Sequence, residues 1–152
     1  FHGIPEEYFH KGDPYFCECQ KTGRLLAESL GLDQGQWQIS FQSRLGPKQW
    51  LQPYTDHTLE SLAGEGVKSV QVICPGFSAD CLETLEEIAM ENRAVFLDAG
   101  GERYEYIPCL NDDAGHMEML AGLVERHTQG WGPHLDEPAT VLARAVALGA
   151  AR

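Results

Sequence analysis

Blocks of apolar and polar positions along the chain predict helices and strands in alternation. Apolar residues recur at helical spacing from Thr22 to Leu30, and Gly31 ends this run. The segment from Trp37 to Ser43 alternates and is rich in β-forming residues, which predicts a strand. A glycine- and proline-containing loop then leads to a helix predicted over about Asp56 to Ala63.

The second half of the chain continues this alternation. We predict a strand from Val67 to Cys74, a helix from Asp80 into the mid-nineties, a strand from Tyr104 to Pro108 and a helix from Gly115 to His127. Strands that alternate with helices predict an α/β fold, with a Rossmann-like parallel sheet flanked by helices. Ligands of such sheets collect beyond the carboxyl ends of the strands.

The predicted helix after Cys74 is rich in acidic residues. At about 100° per residue, Asp80, Glu83 and Glu87 fall within an arc of about 60°. The opposite side carries the apolar residues Leu82, Leu85, Ile88 and Ala89. Asp80 and Glu83 also fit a capping box near the positive end of the helix dipole, which is the stronger interpretation of those two alone. Glu87 lies two turns into the helix and gains little from the dipole. The hypothesis that the acidic face is functional therefore stays open.

Composition narrows the classes of function. A chain of 152 residues with 43% hydrophobic residues can bury one core of ordinary domain size. Its 11 basic and 23 acidic residues give a formal charge of −12, which predicts no nucleic-acid binding and no strong adsorption to anionic lipid.

No apolar run approaches the roughly 20 residues that span a bilayer. We expect a soluble, cytoplasmic protein, and a chain starting at Phe1 without Met is expected to be a piece of something longer.

Five cysteines are present, and their odd number and spacing fit neither a secreted disulfide framework nor a paired Cys-x-x-Cys zinc site. Reduced thiols are therefore expected. Cys17 and Cys19 could contribute to a metal or iron–sulfur site, but two ligands one residue apart are a weak signal. The structural interpretation is favoured for both.

Six motifs follow one another in order at compatible spacing. They are Phe1-His-Gly-Ile-Pro5, Gly12-Asp-Pro-Tyr15, Phe41-Gln-Ser-Arg-Leu-Gly46, Trp50-Leu-Gln-Pro-Tyr-Thr-Asp56, Pro75-Gly-Phe77 and Asp80-Cys-Leu-Glu-Thr-Leu-Glu-Glu87. Together with Tyr106-Ile-Pro-Cys-Leu-Asn111, they resemble the carboxyl-terminal half of ferrochelatase. The resemblance extends from Phe1 to about Asn111, roughly three quarters of the chain.

The resemblance implies both an activity and an architecture. Ferrochelatases insert Fe2+ into a porphyrin to complete heme, with the porphyrin held between two similar chelatase-type domains. Residues 1–129 would form the second of these domains, the N-terminal half being absent, and residues 130–152 a tail that is partly helical or disordered. The resemblance implies protoporphyrin IX as substrate, with coproporphyrin as the alternative. A non-catalytic tetrapyrrole- or metal-binding fragment is the competing hypothesis from another functional class.

Site residues follow from the same resemblance. His2 matches the family's active-site histidine, variously assigned to accepting pyrrole protons or to binding the metal. Glu83 matches the acid that faces it, and Asp80 and Glu87 continue the acidic row. Metallation replaces two N–H protons by a divalent cation, so it needs a base poised near neutrality and oxygen ligands that release iron readily. Fe2+ would be a substrate, and no organic cofactor is expected.

Other residues of these motifs are candidate porphyrin contacts. Trp50, Tyr54 and Phe77 could wall or stack on a planar macrocycle, although core packing explains Trp50 equally well. Ser43 and Arg44 could meet a propionate, because guanidinium suits carboxylates, and a structural role for Arg44 is nearly as well supported. Peripheral membrane contact stays open.

The chain also departs from the animal-type pattern. Cys81 stands where animal-type members carry a histidine, so a second imidazole at the metal site is not assumed. Those members place cluster-binding cysteines after the domain, and this chain has none beyond Cys109. An iron–sulfur cluster of that type is therefore not expected, although Cys17 and Cys19 leave other bacterial arrangements open.

Overall fold

A computed structural model describes residues 1–132 and 138–150 of the chain. Its two strands, β1 (Ser69–Ile73) and β2 (Arg103–Ile107), pair in parallel, with Ser69 opposite Arg103 and Ile73 opposite Ile107. The acidic helix (Glu83–Glu91) and α4 (Asn92–Asp98) connect the two strands, as a parallel pair requires. The predicted α/β arrangement, a parallel sheet flanked by helices, is confirmed.

The helices lie close to their predicted positions, except near the N-terminus. They are α1 (Glu6–His10), α2 (Tyr15–Leu30), α3 (Thr55–Gly64), a π-helical segment (Glu83–Glu91) continuous with α4 (Asn92–Asp98), α5 (Ala114–His127) and α6 (Pro138–Ala147). Helix α2 begins seven residues before its predicted start, because the Asp13 carboxylate accepts the Tyr15 N–H at 2.8 Å and so satisfies a donor of the first turn.

Contacts divide the chain into two compact units, Phe1–Asp113 and Ala114–Arg152. The first unit contains the sheet and every candidate site residue. The second contains α5 and α6. Within the predicted tail, 130–152, α6 is helical, while residues 133–137 and 151–152 lie outside the described part of the chain.

Two apolar clusters hold the first unit together. In one, Leu59 of α3 packs with Phe96 of α4 and Tyr104 of β2. In the other, Cys19 of α2 packs with Phe41 and Leu51. Full burial of an aromatic or leucine side chain contributes about 1.5–3 kcal/mol. The first cluster therefore fixes α4 and its π-helical extension, and the second fixes the segment around Phe41.

The strand predicted over Trp37–Ser43 is wrong. Phe41 and Gln42 form only isolated bridges, Phe41 with the segment just before α3 and Gln42 with His2. Their backbone groups are satisfied on both sides by these two segments, so no longer ladder is needed. Ser43 then adopts φ 64°, a left-handed conformation that ends the extended backbone.

The acidic helix also differs from its prediction. It begins at Glu83 in π-helical geometry, so Asp80 lies before it and does not share its face. The predicted burial of Leu82 and Leu85 is wrong, since their exposed fractions are 70% and 50%. The π-helix has wider turns than an α-helix, because its hydrogen bonds join residues five apart. The buried positions Thr84 and Ile88 of this segment are followed at the same spacing of four by Asn92 and Phe96 of α4.

Candidate functional site

A cleft of about 670 Å³ is lined by His2, the residues from Phe41 to Leu45, part of α3 and the acidic helix. Sites for small molecules typically measure about 300–1,000 Å³. The carboxylates that line the cleft belong to Asp56, Glu83, Glu86, Glu87 and Glu91. Arg44 is the permanently charged basic residue among the lining side chains. This excess of negative charge attracts cations.

The His2 ring is fixed through both its backbone and its side chain. Its Nδ1 lies 2.6 Å from the Gly3 carbonyl oxygen. A carbonyl oxygen can only accept, so Nδ1 carries the hydrogen and the neutral ring keeps its lone pair on Nε2. The Tyr15 hydroxyl donates to the His2 carbonyl at 2.8 Å, and the His2 and Trp50 ring centroids are 6.2 Å apart. The free lone pair can accept a proton or bind a metal ion.

The glycine after His2 permits a close approach of chain segments. A Cβ atom at Gly3 would lie 3.2 Å from the carbonyl oxygens of Gln42 and Ser43 and from the Trp50 ring. Two of these three neighbours are backbone atoms, which cannot move aside like a side-chain end. Gly3 therefore lets the His2 segment lie directly against the Gln42–Ser43 segment.

Glu83 is half-buried in the first turn of the acidic helix. A hydrogen bond with the Cys81 side chain lowers the pKa of the Glu83 carboxyl, and its own backbone N–H and the nearby His2 lower it further. Burial raises the pKa of Glu83, but by less than the other effects lower it. Glu83 is thus an ionised carboxylate at neutral pH, in the same cleft as the His2 ring.

Glu87 is held by the segment across the cleft. Its Oε1 accepts the Ser43 backbone N–H at 2.7 Å, and its Oε2 accepts from the Ser43 hydroxyl and, at 3.4 Å, from Gln42 Nε2. The left-handed backbone of Ser43 directs both of its donors at this one carboxylate. Ser43, which was predicted to contact the porphyrin, therefore lines the cleft, and its backbone N–H and hydroxyl both bind Glu87.

Asp80 does not line the cleft and is surrounded by donors instead. Its carboxylate accepts from Tyr106 Oη at 2.6 Å, Asn111 Nδ2 at 2.8 Å, Thr84 Oγ1 at 3.1 Å and the Cys109 N–H at 3.3 Å. The bond from Asn111, followed by that from Tyr106, holds the pKa of Asp80 far below its usual value. This network ties the loop before the acidic helix to the end of β2.

We expect Asp80→Asn to lower the free energy of unfolding of the intact protein by about 2 kcal/mol at pH 7, since hydrogen bonds to a charged group are each worth about 1.5–3 kcal/mol. The folded pKa of Asp80 is depressed, so this stabilisation is present above the unfolded value of about 3.9 and is lost as pH falls through the folded value. Urea unfolding at pH 7 and near pH 3 measures the difference. The exposed Asp112→Asn is the control. Equal effects of the two substitutions at pH 7 would contradict the prediction.

The candidate porphyrin contacts divide between the cleft and its surroundings. Arg44 lines the cleft, where its guanidinium pairs with Asp56 and stacks 4.3 Å from the Tyr54 ring centroid. Trp50 donates to the Leu45 carbonyl at 3.1 Å, and Phe77 lies in the turn after β1. The cleft lining does not include Trp50, Tyr54 or Phe77.

Several cleft residues escaped the sequence analysis. Among them are Gln42, Asp56, Glu86, Glu91 and Asn92. The spacing of four in Glu83, Glu87 and Glu91 was a usable signal for the last acid, because wide helical turns bring such positions to one face. Gln42 has no such local signal, since its contacts lie 41 and 45 residues away in the chain.

The five cysteines are free thiols. Cys17 is exposed and Cys19 is buried, as expected of helix positions two residues apart, which do not face each other. Across residues 1–132 and 138–150, no three His, Cys, Asp or Glu side chains are grouped closely enough to hold a metal ion. No helix in the same ranges is both long and apolar enough to cross a membrane.

The family model described as Ferrochelatase matches residues 1–128. The chain is 61% identical over 131 residues to the ferrochelatase of Nitrosococcus oceani, covering 86% of this chain and 36% of that protein. It is 57% identical over 145 residues to the ferrochelatase of Marinobacter nauticus, covering 95% and 39%. For the ferrochelatase of Thioalkalivibrio sulfidiphilus the identity is 53% over 156 residues, covering 98% and 42%.

The chain thus spans about two fifths of the length of these relatives. The match extends over most of its own length and includes every residue of the cleft. The similarity predicted from the ordered motifs is confirmed. The chain belongs to the ferrochelatase family.

Proposed function

We propose that this chain is the carboxyl-terminal part of a ferrochelatase that inserts Fe2+ into protoporphyrin IX to form protoheme in heme biosynthesis. The observation that carries the proposal is one cleft lined by both the His2 ring, with its free Nε2 lone pair, and the ionised Glu83. Family membership supports the same activity. An absent N-terminal part would complete the porphyrin site.

His2 and Glu83 would divide the chemistry between them. Metallation releases two protons from pyrrole nitrogens. The lone pair on His2 Nε2 can accept one of them when the porphyrin lies at the cleft mouth, and the other leaves to solvent water. Glu83 supplies an anionic oxygen ligand for Fe2+. Carboxylate oxygens bind Fe2+ less tightly than thiolates do, which suits a cation that must be passed on.

The other acids would act on the approach of the cation. Glu87 continues the acidic row from Glu83, and the exposed Glu91 extends it along the same helix. Their field raises the local concentration of Fe2+ at the cleft. Metal binding by Asp80 stays a prediction, and the four donors on its carboxylate support a role as anchor of the acidic helix.

We also propose that Arg44 exchanges its Asp56 partner for a porphyrin propionate, since guanidinium binds carboxylates in either case. Contacts of Ser43, Trp50, Tyr54 and Phe77 with the porphyrin stay predictions. So do the cytoplasmic location, peripheral membrane contact and the choice between protoporphyrin and coproporphyrin.

Anaerobic Fe2+ insertion tests the proposal, with this chain alone and the intact protein assayed side by side on both porphyrins. We expect turnover by the intact protein and none by the chain alone, because the porphyrin site would be incomplete. Faster turnover of coproporphyrin would correct the substrate. A Soret shift on porphyrin binding, without metallation by either protein, would contradict the enzyme and support the tetrapyrrole-binding fragment.

A further inference from the structure

Gln42 is a buried polar residue that lies between the two walls of the cleft. Its exposed fraction is 3%. Its backbone N–H donates to the Phe1 carbonyl at 2.8 Å, and its carbonyl accepts from the Gly3 N–H at 2.7 Å. These two bonds bracket His2 on both sides. The backbone of Gln42 therefore fixes the position of the His2 backbone, from which the ring extends.

The side chain of the same residue reaches the opposite wall. Gln42 Nε2 donates to the Glu83 backbone carbonyl at 3.0 Å and to Glu87 Oε2 at 3.4 Å. Its Oε1 lies 3.6 Å from the thiol of Cys74, which follows β1 and donates to it. The reverse orientation of the amide would place Oε1 against two acceptor oxygens, so the hydrogen-bond partners define a single orientation.

We infer that Gln42 is a positioning residue that fixes the separation between His2 and Glu83 by binding the backbone on both sides of the cleft. This inference rests on the proposed function. The acidic helix begins at Glu83 with π-helical turns, which are rare and frequently lie at functional sites. The Gln42 amide supplies a hydrogen-bond partner at the first residue of those turns.

The expected contribution is large because metal insertion depends on geometry. Catalytic groups must be held to within about 0.5 Å of the productive arrangement. A displacement of about 1 Å can cost about 10²-fold in rate. Without the amide, the Ser43 donors still bind the Glu87 side chain, but the bond to the Glu83 backbone is lost.

The first test is Gln42→Leu in the intact protein, assayed for anaerobic Fe2+ insertion. We expect kcat to fall by about 10- to 100-fold, while the KM for porphyrin stays within about twofold. Gln49→Leu, at an exposed glutamine that also precedes α3, is the matched control and is expected to match the wild type. A raised porphyrin KM with unchanged kcat would overturn positioning and indicate a direct substrate contact.

The second test is Gln42→Asn, which keeps the amide but shortens the side chain by one methylene, and which remains informative if the leucine variant does not fold. The shorter amide can still satisfy a polar neighbour, but it is drawn back from the Glu83 carbonyl that Gln42 Nε2 reaches at 3.0 Å. We therefore expect kcat to lie between those of the wild type and Gln42→Leu, with the KM for porphyrin within about twofold of the wild type. A Gln42→Asn variant with the kcat of the wild type would overturn the inference.

The outcomes separate this inference from the proposed function. A wild-type protein inactive on both porphyrins would remove the proposed function and the inference with it. An active wild type whose kcat survives both substitutions would remove the role of Gln42 alone. An active wild type with the two predicted responses supports both.

Discussion

Glu83→Gln in the intact protein is expected to lower the rate of Fe2+ insertion by about 100-fold, because even the groups that support metal ligands are each worth about 10–100-fold in metal affinity or activity. The amide has nearly the same shape as the carboxylate, so packing in the first turn of the acidic helix changes little. It lacks the negative charge that binds the cation. Initial rates under anaerobic conditions, at saturating porphyrin and varied Fe2+, measure the effect.

The matched control for Glu83 is Glu60→Gln, at an exposed position of α3 away from the cleft lining. It removes the same charge from the protein and is expected to leave the rate unchanged. If Glu83→Gln and Glu60→Gln gave equal rates, Glu83 would have no part in the chemistry. A rise in the KM for Fe2+ with little change in kcat would place Glu83 in cation capture instead.

Most helices and both paired strands were predictable, because their signals are local. Strand β1 lies within its predicted range, and α3 and α5 differ from their predictions by single residues. In each case apolar periodicity sets the element, and glycine or proline marks a boundary. These features depend only on residues that are close in sequence.

The errors arose where distant residues decide the local geometry. Alternation from Trp37 to Ser43 favours a strand, but the backbone groups of Phe41 and Gln42 are satisfied by two separate short segments. The faces of the acidic helix were predicted at the 100° per residue of an α-helix. In the structure the helix starts with π-helical turns, next to the bonds across the cleft and the Asp80 network. Leu82 and Leu85 are exposed there. No local pattern of residue types indicates either outcome.

The candidate site was likewise predictable only where the sequence itself carries a signal. His2 and Glu83 came from ordered motifs shared with a family, since a lone histidine and an acid in a first turn have simpler explanations. Their presence in one cleft depends on Gly3, which permits close approach, and on Gln42, which bridges the two walls. Both are ordinary residues in the sequence, and only the folded chain shows what they contact.

His2→Ala is expected to lower kcat for Fe2+ insertion by about 10²–10⁴-fold, the usual contribution of a positioned acid or base. The hydrogen bond from Nδ1 to the Gly3 carbonyl leaves Nε2 as the reactive atom, and alanine removes that atom while the backbone bonds of the segment stay. The two roles assigned to this histidine predict different kinetics. A fall in kcat with unchanged KM for Fe2+, partly restored by added imidazole, indicates proton acceptance. A raised KM for Fe2+ indicates ligation of the metal. The exposed His10→Ala on α1 is the control, and a His2→Ala variant as active as that control would exclude both roles.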